Sequence, residues 1–260
     1  MTQPCIVLLA GEGTPTCMVY HALRRRFGSA ARLEVILERP VSRLHLLKRR
    51  AKRLGLVPVL GHVLFMMLAV PLLRFQGRQR IEAIQALYGL DDSVIPEPVL
   101  RVASANSAVV VERLRALSPS VVVVNGTRIL KPEILSATGA PFINMHAGVT
   151  PAYRGVHGGY WALADGRPEL VGTTIHLVDE GIDTGDIVKQ VIFTPTAADN
   201  FATYPYLHIA MGLPALLDAV QAILSHQRPA LCAPQTRISR LWHHPTLWSY
   251  LKVGCRQNVW

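Results

Sequence analysis

The chain has 260 residues, half of them hydrophobic and 17% charged, with a formal net charge of +10. Such length and composition exclude a disordered or collagen-like chain and suffice for one domain with a sizeable core. Cys5, Cys17, Cys232 and Cys255 form no C-x-x-C pair and no dense pattern, which excludes a disulfide framework, while the basic balance calls for anionic partners: a phosphorylated substrate, an anionic cofactor, nucleic acid or an acidic membrane face.

Pro4–Ala10 reads as a first strand. Its apolar part is too short for a signal segment and Gly11 follows at once, so a cytoplasmic protein with free thiols is expected. Gly11 and Gly13 lie in a turn that leads to a helix near Cys17–Phe27. Such a turn either cradles a phosphate with backbone N–H groups or simply closes tightly. Arg32–Leu37 is a second strand.

Residues 39–80 then break the alternation. Leu54 to Leu73 holds no Asp, Glu, Lys or Arg and only His62 as a titratable group, between the run Lys48–Arg53 and Arg74, Arg78 and Arg80. The length suits a membrane span, but Gly55, Pro58, Gly61 and Pro71 interrupt it, and both flanks are basic. The pattern favours a buried or subunit-contact helix pair, and with it a homodimer. An interfacial helix on anionic headgroups through 54–73 comes second, and a true span last.

Arg78–Tyr88 reads as a helix ended by Gly89, Leu100–Ala103 as a short strand, and Asn106 or Ser107 as the cap of a helix through Leu117. Val121–Val124 is an unbroken β-branched run, as expected of a central parallel strand, and leads into Asn125–Leu130. Pro141–Ile143 opens another buried strand, followed by Asn144 and His146, two positions apart and hence on one face. At the carboxyl end of a strand that face looks into the ligand crevice of an open α/β sheet. An amide there can donate to a developing oxyanion, and an imidazole can move a proton near neutral pH.

Val171–Val178 and Ile187–Phe193 are strand-like runs around the acidic loop Asp179–Asp186, in which Asp183 is the carboxylate best placed to orient His146. Taken singly, these stretches read equally well as a turn Asn, a loop His and a solvated hairpin. His157 reads as a structural loop residue. Thr203–Leu224 is an apolar helix for the sheet, with Pro205 and Pro214 limiting its regularity. The tail from Arg228 is basic and holds Trp242, Trp248 and Trp260; it either meets nucleic acid or membrane or packs back as a helix. The fold class is α/β, a Rossmann-like, mostly parallel sheet over residues 1–200 with a helical insertion at 39–80. Residues 201–260 form a C-terminal helix and extension.

Asn144, His146, Pro151, Tyr153, Arg154, Gly155 and Asp183 together resemble the formyltransferases that use 10-formyltetrahydrofolate. That family's pattern is Asn-x-His, a Ser-Leu-Leu-Pro-x-Tyr-Arg-Gly-like segment and a later Asp-x-Gly loop. The resemblance covers roughly residues 100–225. Gly148 replaces the usual Ser and Val149–Thr150 the usual Leu-Leu, changes expected to alter the rim of the cleft. The resemblance implies transfer of a formyl group from 10-formyltetrahydrofolate to a primary amine without a metal. Asn144 would be the oxyanion donor, His146 the proton shuttle and Asp183 its orienting acid.

It further implies that Arg128, Ile129 and Leu130, with Asp179 and Gly181, border the folate, although composition alone favours core packing for Ile129 and Leu130. Gly11, Gly13, Pro151, Tyr153 and Arg154 would face the acceptor. Methionyl-tRNA enzymes carry a further RNA-binding domain, for which the tail leaves no room, so nucleic acid is not expected. Glycinamide ribonucleotide enzymes lack the 39–80 insertion. A nucleotide-linked amino sugar of surface polysaccharide synthesis, modified at the inner membrane face, fits best. A reading of another class is a non-catalytic membrane-surface protein on the same core.

Overall fold

Strands β1 (Cys5–Gly11) and β4 (Val121–Asn125) are almost wholly apolar because helices cover both faces of their sheet, and β2 (Arg32–Glu38) is apolar over the buried Val35, Ile36 and Leu37. Ile6, Leu8, Val121 and Val123 face one helical layer, and Val7, Leu9, Val122 and Val124 face the other. The computed structural model describes residues 3–42, 47, 50–52 and 54–260. Residues 48, 49 and 53 of the expected basic run therefore lie outside the described residues.

With β3 (Leu100–Val102), β5 (Phe142–His146), β7 (Gly172–Leu177) and β8 (Ile187–Ile192), the sheet has seven strands in the order β3-β2-β1-β4-β5-β7-β8. The first five run parallel, and β7 and β8 add antiparallel to the edge. A mostly parallel α/β sheet is thus present as expected. Its order reverses between β1 and β4, which places a crevice at their carboxyl ends. A separate ribbon pairs β6 (Arg154–Gly155) with β9 (Leu241–Trp242).

Helix α1 (Thr14–Phe27) and the insertion pack on one face, and α4 (Ala108–Leu117) and the short α5 (Pro132–Leu135) on the other. Helix α6 (Gly158–Ala164) follows β6. Helix α7 (Tyr204–Leu224) shares the first of those faces and runs unbroken despite Pro214, with Pro205 harmless in its first turn. Its buried residues belong to the same core as the strands, so the division at residue 200 falls inside one hydrophobic core. The tail does pack back: α8 (Leu247–Gln257) opens with a capping box, in which Thr246 and Ser249 satisfy each other's backbone N–H.

The insertion departs from the expected interrupted pair. Segments α2 (Leu56–Leu64) and α3 (Val70–Tyr88) join through a π turn at Phe65–Ala69 into one 33-residue helix. Pro71 cannot donate to the carbonyl four residues back, and the widened turn just before it absorbs the ring without a break. Gly61 is a packing requirement, since a Cβ there would stand 2.4 Å from the Trp248 ring. Nor is the helix buried: only 28% of its most apolar window is covered. Val59, His62, Phe65, Leu73, Gly77 and Ile84 face the domain, Ala69 and Val70 are half-buried against its core, and Leu56, Val57, Leu60, Met66, Met67, Leu68, Leu72 and Phe75 face outward.

Candidate active site

Asn144 and His146 belong to β5 itself, at its carboxyl end. Val124 of β4 pairs with Asn144 on one side, and His176 of β7 stands directly opposite Asn144 on the other. Cross-strand neighbours share a face, so the Asn144 amide reaches the His176 ring, Nδ2 to Nε2, at 3.1 Å. His176 Nδ1 lies 2.7 Å from the Leu177 carbonyl. A carbonyl only accepts, so Nδ1 carries the proton and Nε2 receives the amide N–H of Asn144. One Asn144 N–H remains for a substrate oxygen.

The same logic fixes His146. Its Nε2 stands 2.7 Å from the Tyr153 carbonyl and donates to it, leaving Nδ1 as the basic nitrogen. Asp183 Oδ2 lies 3.4 Å from that Nδ1, and Asp183 Oδ1 lies 3.7 Å from His176 Nε2. Burial lowers the His146 pKa, opposed by the Asp183 charge and the Tyr153 carbonyl. For Asp183, burial raises the pKa, but the neighbouring His176 and His146 rings and the Gly155 N–H outweigh it and hold the carboxyl down to about 2. An ionised carboxylate therefore faces a neutral, proton-accepting imidazole.

Asp183 adopts a left-handed backbone, φ 52°, rare for a residue with a Cβ. The Gly155 N–H donates to its Oδ2 at 2.9 Å, and Arg154 Nη1 donates to the neighbouring Ile182 carbonyl at 3.1 Å. The β6 strand thus clamps the acidic loop. Asp179 accepts from the Gly181 N–H and the Thr184 hydroxyl, closing the loop on itself. A Cβ at Gly181 would collide with that hydroxyl, 1.8 Å away.

Asn144, His146 and Asp183 line one cleft of about 740 Å³, together with Arg128, Ile129, Leu130, Asp179 and Gly181. All eight side chains or peptide groups expected at the catalytic centre and the folate are therefore in one place. Ile129, for which composition favoured the core, is 55% exposed at the cleft, while Leu130 is buried beneath it. Arg128 is held by an ion pair with the buried Glu38 and a bond to the Ala103 carbonyl. Apolar Val124, Leu130 and Val178 next to the backbone of 126–130 suit a flat heteroaromatic group with a polar rim.

The residues expected to face the acceptor are not on that surface. Gly11 is a packing glycine, because a Cβ there would lie 2.5 Å from the Gly126 carbonyl, and Gly13 begins α1. Neither lines the cleft. Pro151, Tyr153 and Arg154 also stand behind it. Tyr153 is 3% exposed, stacks on Trp242, and serves through its carbonyl. Gly148 does not shape a rim either: a Cβ would meet the Tyr153 carbonyl at 2.3 Å and His146 Nε2 at 2.8 Å, so Gly keeps that hydrogen bond open. Val149 and Thr150 are core.

Several cleft residues carried no local signal in the sequence. Arg50, Leu54 and His62 come from the insertion, and Trp242, His243 and His244 come from the tail through the β6–β9 ribbon. His157 bonds to His244 at 2.9 Å and packs against Phe201, in keeping with the structural reading. His176 did leave a trace, as the polar break in the run Ile175–His176–Leu177.

Residues 77–204 match the family model described as Formyl transferase. A methionyl-tRNA formyltransferase of Anaeromyxobacter sp. (strain K) is 34% identical over 127 residues, 48% of this chain and 40% of that protein. The match thus spans less than half the length of such relatives. Among solved structures, the N-formyltransferase of Helicobacter canadensis in complex with folinic acid and dTDP-3-aminofucose superposes with TM-score 0.54 at 15% identity, over 91% of this chain and 70% of that one. Glycinamide ribonucleotide transformylase 1 of Symbiobacterium toebii gives 0.56 at 18% identity, over 93% and 96%. The architecture is the formyltransferase fold, and the stretch that matches the formyl transferase family model contains Asn144, His146 and Asp183.

Proposed function

We propose that this chain is an N-formyltransferase that moves the formyl group of 10-formyltetrahydrofolate to a primary amine. The observation that carries the reading is the convergence of an amide, an imidazole and a carboxylate, with His146 Nδ1 3.4 Å from Asp183, inside a cleft with an apolar wall. The folate supplies an electrophilic formyl carbon. Asn144 donates its remaining N–H to the formyl oxygen as charge gathers there. The amine attacks the formyl carbon and gives its proton to His146 Nδ1, where the ionised Asp183 stabilises the imidazolium. As the tetrahedral adduct collapses, the bond to the folate nitrogen breaks and that nitrogen takes the proton from His146, leaving tetrahydrofolate and the formylated amine. With both His146 nitrogens committed, the oxyanion falls to Asn144. Tyr153 and Arg154 hold these groups in place and touch no substrate.

For the acceptor we favour an amino group on a nucleotide-linked sugar, which makes the protein a contributor to polysaccharide synthesis at the cytoplasmic face. The Helicobacter neighbour, solved with a dTDP-amino sugar, supports this reading. So does the net charge of +10 and the presence of Arg50 and three histidines at the cleft beyond Asn144. A glycinamide ribonucleotide acceptor would use the same chemistry, but Gly11 packs against Gly126 and forms no phosphate cradle at the cleft. The test is incubation of the purified chain with 10-formyltetrahydrofolate and a panel of dTDP- and UDP-linked amino sugars, with glycinamide ribonucleotide beside them. A formylated sugar, seen by mass spectrometry with matching tetrahydrofolate release, is expected. Formylation of glycinamide ribonucleotide alone would reassign the acceptor, and no transfer to any amine would end the enzymatic reading.

A further inference from the structure

The insertion helix carries two stripes. Val59, His62, Phe65 and Leu73 bind it to the domain, with the Phe65 ring edge-on to Phe201 at 4.9 Å, so the helix lies along the protein and does not leave it as a span. On the opposite side, Val57, Leu60 and Met67 at steps of three and seven, and Leu68, Leu72 and Phe75 at steps of four and three, form one stripe and are each more than half exposed. Helix α8 widens this surface, since its Trp248 packs on Gly61 and is itself 45% exposed, with Leu251 one turn further at 46%. Contiguous apolar area on this scale marks an interaction surface.

The charges around it choose the partner. No Asp or Glu occurs between Glu38 and Glu82, while Arg50 and Lys52 stand at one end of the stripe and Arg74 and Arg78 at the other. A second copy docked on the stripe in antiparallel fashion would lay basic end on basic end, and a parallel one would do the same. An anionic bilayer neutralises both ends at once and accepts the apolar residues and the Trp248 ring between headgroups. We propose that the exposed face of the 56–75 helix, extended by Trp248 and Leu251, is a monotopic docking surface for an anionic membrane. His62 of this helix and Leu54 just ahead of it border the cleft, so docking sets the cleft beside the headgroup layer. The inference names the surface behind the membrane-face setting above and does not depend on the transfer chemistry.

The full chain is mixed with vesicles of phosphatidylcholine and phosphatidylglycerol (3:1) or of phosphatidylcholine alone, and flotation is measured. Binding to the anionic vesicles is expected, at least tenfold weaker on the neutral ones and reduced by salt. Leu60→Glu with Met67→Glu, both outside the core, should lose at least tenfold while circular dichroism and folinic acid binding stay unchanged. Arg74→Glu with Arg78→Glu should abolish the preference for anionic lipid. Absence of flotation, equal flotation of the variants, or a dimer in light scattering that the Leu60/Met67 variant converts to monomer would each overturn the proposal. Loss of formyl transfer with flotation intact would count against the enzymatic reading alone.

Discussion

Asn144 has its direction set by His176, and that division of labour makes a kinetic prediction. On the proposed mechanism Asn144→Ala removes the donor to the developing charge, and kcat should fall by about 10²–10³-fold with little change in folate KM. His176→Phe keeps a ring of similar size but takes away the Nε2 that receives the amide. Asn144 is then free to rotate, and kcat should fall by about ten- to a hundredfold. Folinic acid affinity and melting temperature should hold, which a merely structural histidine would not allow. Steady-state kinetics with calorimetric binding separate the cases, and unchanged kcat in His176→Phe would remove His176 from the site. The Asn-x-His spacing and the acidic loop were legible in the sequence because period two on a strand is a local property. The His176 contact was not, because it depends on the register of β5 with β7.

At the scale of elements, the sheet was readable for a related reason. Runs such as Val121–Val124 are apolar at every position only when both faces are covered, and the helix signals at Ser107 and Gly89 are local too. The insertion misled because glycine and proline carry two meanings. Pro71 looked like a break but is taken up by the π turn, and Gly61 looked like a break but is the seat of Trp248, 187 residues away in the chain. The second meaning is testable. Gly61→Val drives methyl groups into the indole, and overpacking of this kind costs about 1–3 kcal/mol. The melting temperature should drop accordingly. With Trp248→Ala as background the same substitution should cost much less, so a double-mutant cycle measures the coupling. Additive effects would show that α8 does not rest on Gly61.

Across the whole molecule, the core that unites the sheet, the insertion and the tail also traps histidines in their neutral form. Burial pushes His157 and His208 down to about 3, His157 further by His244 and His208 further by His146; burial and the Arg50 charge push His244 down to about 4. An unfolded histidine takes up its proton near pH 6.5. Between that value and the folded pKa the unfolded chain binds more protons, so stability rises with pH across this window and is lost as pH falls through it. From pH 6.5 to 5 the loss is about 2 kcal/mol per histidine, against a total on the order of 5–15 kcal/mol for a typical domain. Asp183 acts in a lower window: its depressed pKa contributes stability that is complete above about 4 and disappears only toward 2. Urea denaturation at a series of pH values should therefore show the midpoint falling steeply between pH 6.5 and 5. In His157→Gln/His208→Gln that slope should flatten, and in Asp183→Asn it should stay steep, with lower stability throughout. A wild-type midpoint constant down to pH 5 would mean that these rings meet solvent or one another as cations, and the tail could not then be packed on the cleft as it is.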